Sequence, residues 1–69
     1  MNIKELLNRS DQFLAERGIE SSRLDAEVLM ADLLDMERIK LYVNYDYPLK
    51  SAEIDEYRER IKKRAQRIP

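Results

Sequence analysis

An all-α fold, a small bundle of four to five short helices, is predicted for this chain on three observations. Apolar residues recur at spacings of three and four along separate stretches of the sequence. Helix start and stop signals bracket these stretches. The one run with strand propensity, Leu41-Tyr42-Val43, has no second strand to pair with. The 69 residues make one small domain, of a size that buries only roughly 60% of its unfolded surface.

The first helix is expected to start at Asn2, whose side chain caps while Glu5, three residues on, completes a capping box. Ile3, Leu6, Leu7, Phe13 and Leu14 form its stripe, with Ser10 where a leucine might sit. It should stop at Arg17, with Gly18 left-handed at C′ and Ile19 packing back. The second helix is expected to start at Ser22 as N-cap with Asp25 at N3, the structural capping pair, and to run to about Asp35. Leu24, Val28, Ala31 and Leu34 make one stripe and Leu29 and Leu33 widen it, the pattern of a central helix touching neighbours on two sides. Arg23 can pair with Glu27 at i,i+4.

Residues 37–45 should form a short third helix that turns Ile39, Tyr42 and Val43 inward. Asp46-Tyr47-Pro48 is a turn, since a residue before proline leans away from the helix. The last helix starts near Ser51, capped either by Ser51 or by Lys50 with Glu53 at N3. Ile54, Tyr57, Ile61 and Ala65 form its inner stripe. Its early acids and late bases suit the helix dipole.

Composition excludes several functions. There is no cysteine and no histidine, which removes thiolate chemistry, the commonest metal ligand and the commonest general base. Gly18 is the only glycine, so no Gly-rich loop cradles a phosphate or nucleotide. Asp25 and Glu27 are paired carboxylates in sequence, but at i,i+2 they do not share a helix face. No catalytic, cofactor-binding or metal-ligating residue is assigned.

No apolar run approaches the ~20 residues a bilayer needs, no signal peptide is visible, and a cytoplasmic location is expected. The net charge of −1 hides a first half near −4 (residues 1–35) and a second near +3 (residues 36–69). The candidate partner contacts are therefore the tyrosines expected to be exposed, Tyr45 and Tyr47, and the basic last helix, with Arg60, Lys63, Arg64 and Arg67. Tyr42 and Tyr57 are read as core. A helix-turn-helix at residues 22–45 fits in outline, but its recognition helix would be largely apolar.

Gly18-Ile19-Glu20-Ser21 is followed by Ser22-Arg23-Leu24-Asp25-Ala26-Glu27, with Leu29 behind it. Then come Asp46-Tyr47-Pro48-Leu49 and a helix closing in Lys63-Arg64-Ala65-Gln66 before Pro69. In order and separation these residues resemble the N-terminal domain of the release factor glutamine methyltransferase (PrmC/HemK) family, from about Leu6 to Pro69. The resemblance implies a helical domain preceding a Rossmann-like catalytic domain. The full enzyme would use S-adenosylmethionine to methylate the glutamine side-chain amide in the Gly-Gly-Gln motif of class I peptide release factors. The N-terminal domain would help recognise the release factor, and a hairpin linker would begin around Pro69.

The family's Gly-rich cofactor loop and its Asn-Pro-Pro-Tyr motif are absent, and Arg67-Ile68 stands where the family often has a glycine and an acid. Residues 1–69 are therefore expected to be a single substrate-recognition domain excised from a longer methyltransferase. It should be non-catalytic alone, with no cofactor of its own and S-adenosylmethionine in the parent enzyme. The expected partners are the release factor and the parent's own C-terminal catalytic domain, with neither membrane nor nucleic acid. An autonomous helical protein- or nucleic-acid-interaction module is the alternative. Arg23 or Asp25 is expected to pair with a base such as Arg64, tying the second helix to the last.

Overall fold

The computed structural model describes residues 1–66. These form four helices: α1 (Ile3–Glu16), α2 (Ser22–Leu34), α3 (Arg38–Val43) and α4 (Ser51–Ala65). The all-α reading holds. No helix among the described residues is long and apolar enough to cross a membrane.

The expected boundaries of α1 are present. The Glu5 amide donates to Asn2 Oδ1 at 2.9 Å and the Asn2 amide donates to Glu5 Oε1 at 3.1 Å, a reciprocal capping box. The other two free amides of the first turn, on Ile3 and Lys4, donate to the carbonyls of Tyr47 and Tyr45 at 3.3 and 3.2 Å. The Leu49 amide donates to the Met1 carbonyl at 3.0 Å. Residues 45–49 thus lie across the start of α1 and satisfy donors that a helix end leaves open. At the other end Gly18 takes φ +79°, and the amides of Gly18 and Ile19 reach back to the carbonyls of Ala15 and Leu14 at 3.0 and 3.2 Å. This is a Schellman closure. A Cβ on Gly18 would meet nothing within 4 Å, so the left-handed backbone alone favours glycine there.

The start of α2 differs from expectation. The N-cap is Ser21, whose side chain makes no cap bond, and Ser22 is already helical. Ser22 Oγ instead donates to Asp11 Oδ1 on α1 at 2.6 Å. Asp25 lies one place beyond N3 and does not cap. Its carboxylate accepts from Ser21 Oγ at 3.2 Å and from Arg64 Nε at 2.9 Å. Tertiary partners for both side chains outweigh the local cap. The expected link between α2 and α4 therefore exists, through Asp25; half-exposed, it contributes about 0–1 kcal/mol.

The α2 stripe is also corrected. Leu24 and Val28 point outward, and the buried side consists of Ser22, Ala26, Glu27, Met30 and Ala31. Apolar residues occupy nearly every side of this helix, so periodicity alone does not set which side faces in. Its neighbours do: α2 packs against α1, α4 and α3, as expected of a central helix. At its end Asp35 adopts a left-handed conformation, φ 54°, and the Met36 amide reaches the Ala31 carbonyl at 3.0 Å.

α4 starts with Lys50 at the cap and the Lys50 amide donating to Glu53 Oε1 at 2.8 Å. The lysine side chain has no acceptor to return the bond, so only half of a capping box forms. Tyr57 and Ile61 are buried, and Ile54 and Ala65 pack against the core at half-exposure. The core joins Ile3, Leu6, Leu7 and Leu14 of α1 to Ala26, Met30 and Ala31 of α2, with Leu41, Leu49, Tyr57 and Ile61 completing it.

Candidate functional site

The polar centre of the bundle is Glu27. It is only 4% exposed. Its carboxylate accepts from Arg23 Nε at 3.1 Å, Arg38 Nε at 3.3 Å and Tyr42 Oη at 3.0 Å. A buried charge needs such partners, because desolvation penalises it otherwise. Arg23 extends the network, donating to Asn8 Oδ1 at 2.9 Å and Tyr45 Oη at 3.2 Å. Burial pulls its guanidinium toward neutrality, but the bonds to Tyr45 and Glu27 outweigh this and raise its pKa. The Tyr42 phenol is raised by its bond to the Glu27 carboxylate, which disfavours a second negative charge.

This network fixes α3. The expected inward face of Ile39, Tyr42 and Val43 is turned out: they are 66%, 50% and 77% exposed, and Leu41 alone is buried. Two of the short helix's side chains, Arg38 and Tyr42, are spent on Glu27, and that sets its rotation. The result is a bare apolar face on a braced support. The Tyr42 and Tyr45 rings meet at 5.3 Å, tilted by 58°.

A second surface lies between α1 and α4. Leu6, Phe13 and Ile61, with Ser10, floor a groove of about 240 Å³, and Arg9, Arg58 and Lys62 stand on its rim. The Arg17 guanidinium sits 3.8 Å over the Phe13 ring, a cation–π contact. Tyr57, on the buried side of α4, donates to the Ala26 carbonyl at 2.8 Å. Its phenol is pushed well above the usual tyrosine range by burial, which the Ser10 hydroxyl partly offsets. That contact accounts for a polar residue in the α1 stripe.

The residues picked from sequence are dispersed. Tyr45 and Tyr47 are half-buried and pack against the core, whereas Tyr42, read as core, is the exposed one. Tyr47 Oη lies 3.4 Å from Glu53 Oε2. Arg60 pairs with Glu56 at 3.3 Å and Arg64 with Asp25. Lys63 is exposed, and Arg67 lies outside the described residues. The basic run of α4 therefore divides, with Arg58 and Lys62 on the α1 side and Arg60 and Arg64 elsewhere. Of the groove residues, Phe13 was read as part of the α1 stripe and Arg58 and Lys62 as part of the basic run of the last helix; Arg9 and the pairing of the two helices into a groove were missed. The available signal was their i,i+4 placement beside Leu6 and Ile61. No cluster of three or more acidic side chains able to hold a metal ion occurs among the described residues.

The family model of the PrmC N-terminal domain matches residues 5–69. A release factor glutamine methyltransferase of Leptospira interrogans is 48% identical over 68 residues, covering 99% of this chain and 24% of the relative. Proteins of the same name from Geobacter sulfurreducens and Chlorobaculum tepidum are 39% and 34% identical, over 97% and 99% of this chain. The chain spans about a quarter of the length of these curated relatives. No solved structure matches the chain significantly.

Proposed function

Because this chain belongs to the PrmC N-terminal domain family, we propose that it is the release-factor-recognition domain of a protein-(glutamine-N5) methyltransferase. On this reading residues 1–69 are one domain, and the chemistry belongs to the remaining three quarters of an enzyme like the relatives. The observation that carries the reading is the match along nearly the whole chain to enzymes of which it makes up only about a quarter.

The methyl donor, S-adenosylmethionine, is assigned to that remainder. The domain's contribution is positional. Grip on the release factor away from the reacting amide turns remote binding energy into orientation of that amide.

The two surfaces suit two partners. The α3 face, apolar and carrying Tyr45 at its edge, has the composition of a lasting contact. We assign it to the rest of the enzyme. The cationic side of α4, which Lys63 continues, suits a partner that comes and goes, because rim charges steer encounter. Arg60 and Arg64 add to this positive field while serving internal pairs.

The test is a chimera. The Leptospira enzyme with its matching quarter replaced by this chain should methylate unmodified release factor. Deleting that quarter should raise KM for the release factor by about tenfold or more, with a short Gly-Gly-Gln peptide modified as before. Equal losses on protein and peptide would refute recognition as the role.

A further inference from the structure

The groove between α1 and α4 has a feature that the internal packing does not use. Arg23, Arg38, Arg60, Lys62 and Arg64 each meet a carboxylate within 3.4 Å. Arg9 and Arg58 pair with no carboxylate among the described residues, which is equally true of Lys4, Arg17, Lys40, Lys50 and Lys63, but these two stand on opposite walls of one groove. Lys62, the third rim cation, is held only by exposed Glu59, at 3.4 Å. Between these charges lies an apolar floor of Leu6, Phe13 and Ile61.

We propose that this groove docks an acidic amphipathic helix of the release factor, its apolar side chains on the floor and its carboxylates on Arg9, Arg58 and Lys62. The proposal rests on the recognition reading above and names the surface that performs it. The spacing supports a helical guest. Arg9 and Phe13 on α1, and Arg58 and Lys62 on α4, are four residues apart, about 5–6 Å along a helix and close to one helical turn of a guest lying in the groove. The floor opposes an RNA guest. A phosphate backbone has nothing to place on Leu6 and Ile61, and one face of the Phe13 ring carries Arg17, which leaves a base fewer faces to stack on.

The experiment titrates the ¹⁵N-labelled 69-residue chain with an unmethylated class I release factor at two salt concentrations. Amide shifts should concentrate at Leu6, Arg9, Phe13 and Ile61, and binding should weaken as salt rises. R9E/R58E should weaken binding about tenfold or more, and R9K/R58K by much less. Both arginines are exposed and meet no carboxylate among the described residues, so the melting temperature should hold, which separates lost binding from lost folding. K4E/K40E, an equal charge change at exposed sites outside the groove, should bind within about twofold.

Equal weakening by K4E/K40E reduces the groove to general attraction and overturns the proposal. Release-factor binding that R9E/R58E leaves intact also overturns it, while the recognition reading stands. A wild-type chain and chimera that both ignore the release factor overturn that reading itself. Binding of single-stranded RNA with the same arginine dependence, and none of the release factor, shows the guest to be wrong.

Discussion

α3 and α4 are built from the same kinds of residue and use them in opposite ways. α4 has 15 residues, buries Tyr57 and Ile61, and leaves its cations outside. α3 has six, buries Leu41 alone, and turns a tyrosine, an isoleucine and a valine toward solvent. In the long helix the apolar stripe sets the rotation, because four side chains on one side outweigh any single polar contact. In the short helix a single buried carboxylate on its neighbour sets it. Glu27 takes one hydrogen bond from Arg38 and one from Tyr42, and the apolar residues go where that leaves them. Apolar composition therefore locates a core face only when a helix is long enough to present a stripe.

Substitutions can break this contrast in order of size. Tyr57→Ala removes a fully buried aromatic from α4 and should cost about 3–5 kcal/mol. That approaches the whole stability of a domain this small, so circular dichroism should show a largely unfolded chain at 37 °C. Glu27→Ala should cost about 2 kcal/mol, less than a fully buried pair because Arg23 and Arg38 are themselves partly solvated. Its diagnostic sign is local. Near-ultraviolet signals and amide shifts of α3 should change more than those of α4; a uniform change would mean that Glu27 does not set the rotation of α3.

A smaller effect follows from pH. Tyr57's folded pKa lies above its unfolded value of about 10. Its contribution is therefore complete below pH ~10 and is lost as pH rises from there toward the folded value, where only the unfolded chain releases the proton. Melts between pH 9 and 11 should show a falling midpoint, with a shallower fall in Tyr57→Phe. The smallest effect belongs to the α3 face. Ile39→Ser with Val43→Ser should leave the melt of this chain within about 0.5 kcal/mol, while the chimeric enzyme carrying the pair loses stability.

Local rules located the ends of α1 correctly, because the Asn2–Glu5 box and the Gly18 closure are settled by residues within six positions of each other. They failed at α2 where a distant partner competed: Ser22 serves Asp11, and Asp25 serves Arg64. The inner side of α4 was legible from its spacing; that of α2 was not, since Leu24 and Val28 lie outside, Leu29, Leu33 and Leu34 are only partly buried, and Ala26, Met30 and Ala31 take the inner side. Of the candidate site, the basic character of α4 was visible in the sequence. The groove was not, because one wall comes from residues 6–13 and the other from residues 58–62, and only the packed structure joins them.

The strand-like crossing of residues 45–49 over the beginning of α1 has a consequence for motion. The first-turn amides of a helix have no partner within it and ordinarily exchange with solvent readily. Here the amides of Ile3 and Lys4 are held by carbonyls more than forty positions away. Deuterium uptake at these two sites therefore reports the lifting of the α3–α4 connection, so that the opening turn of α1 acts as a gauge of whether that distant segment is still in place.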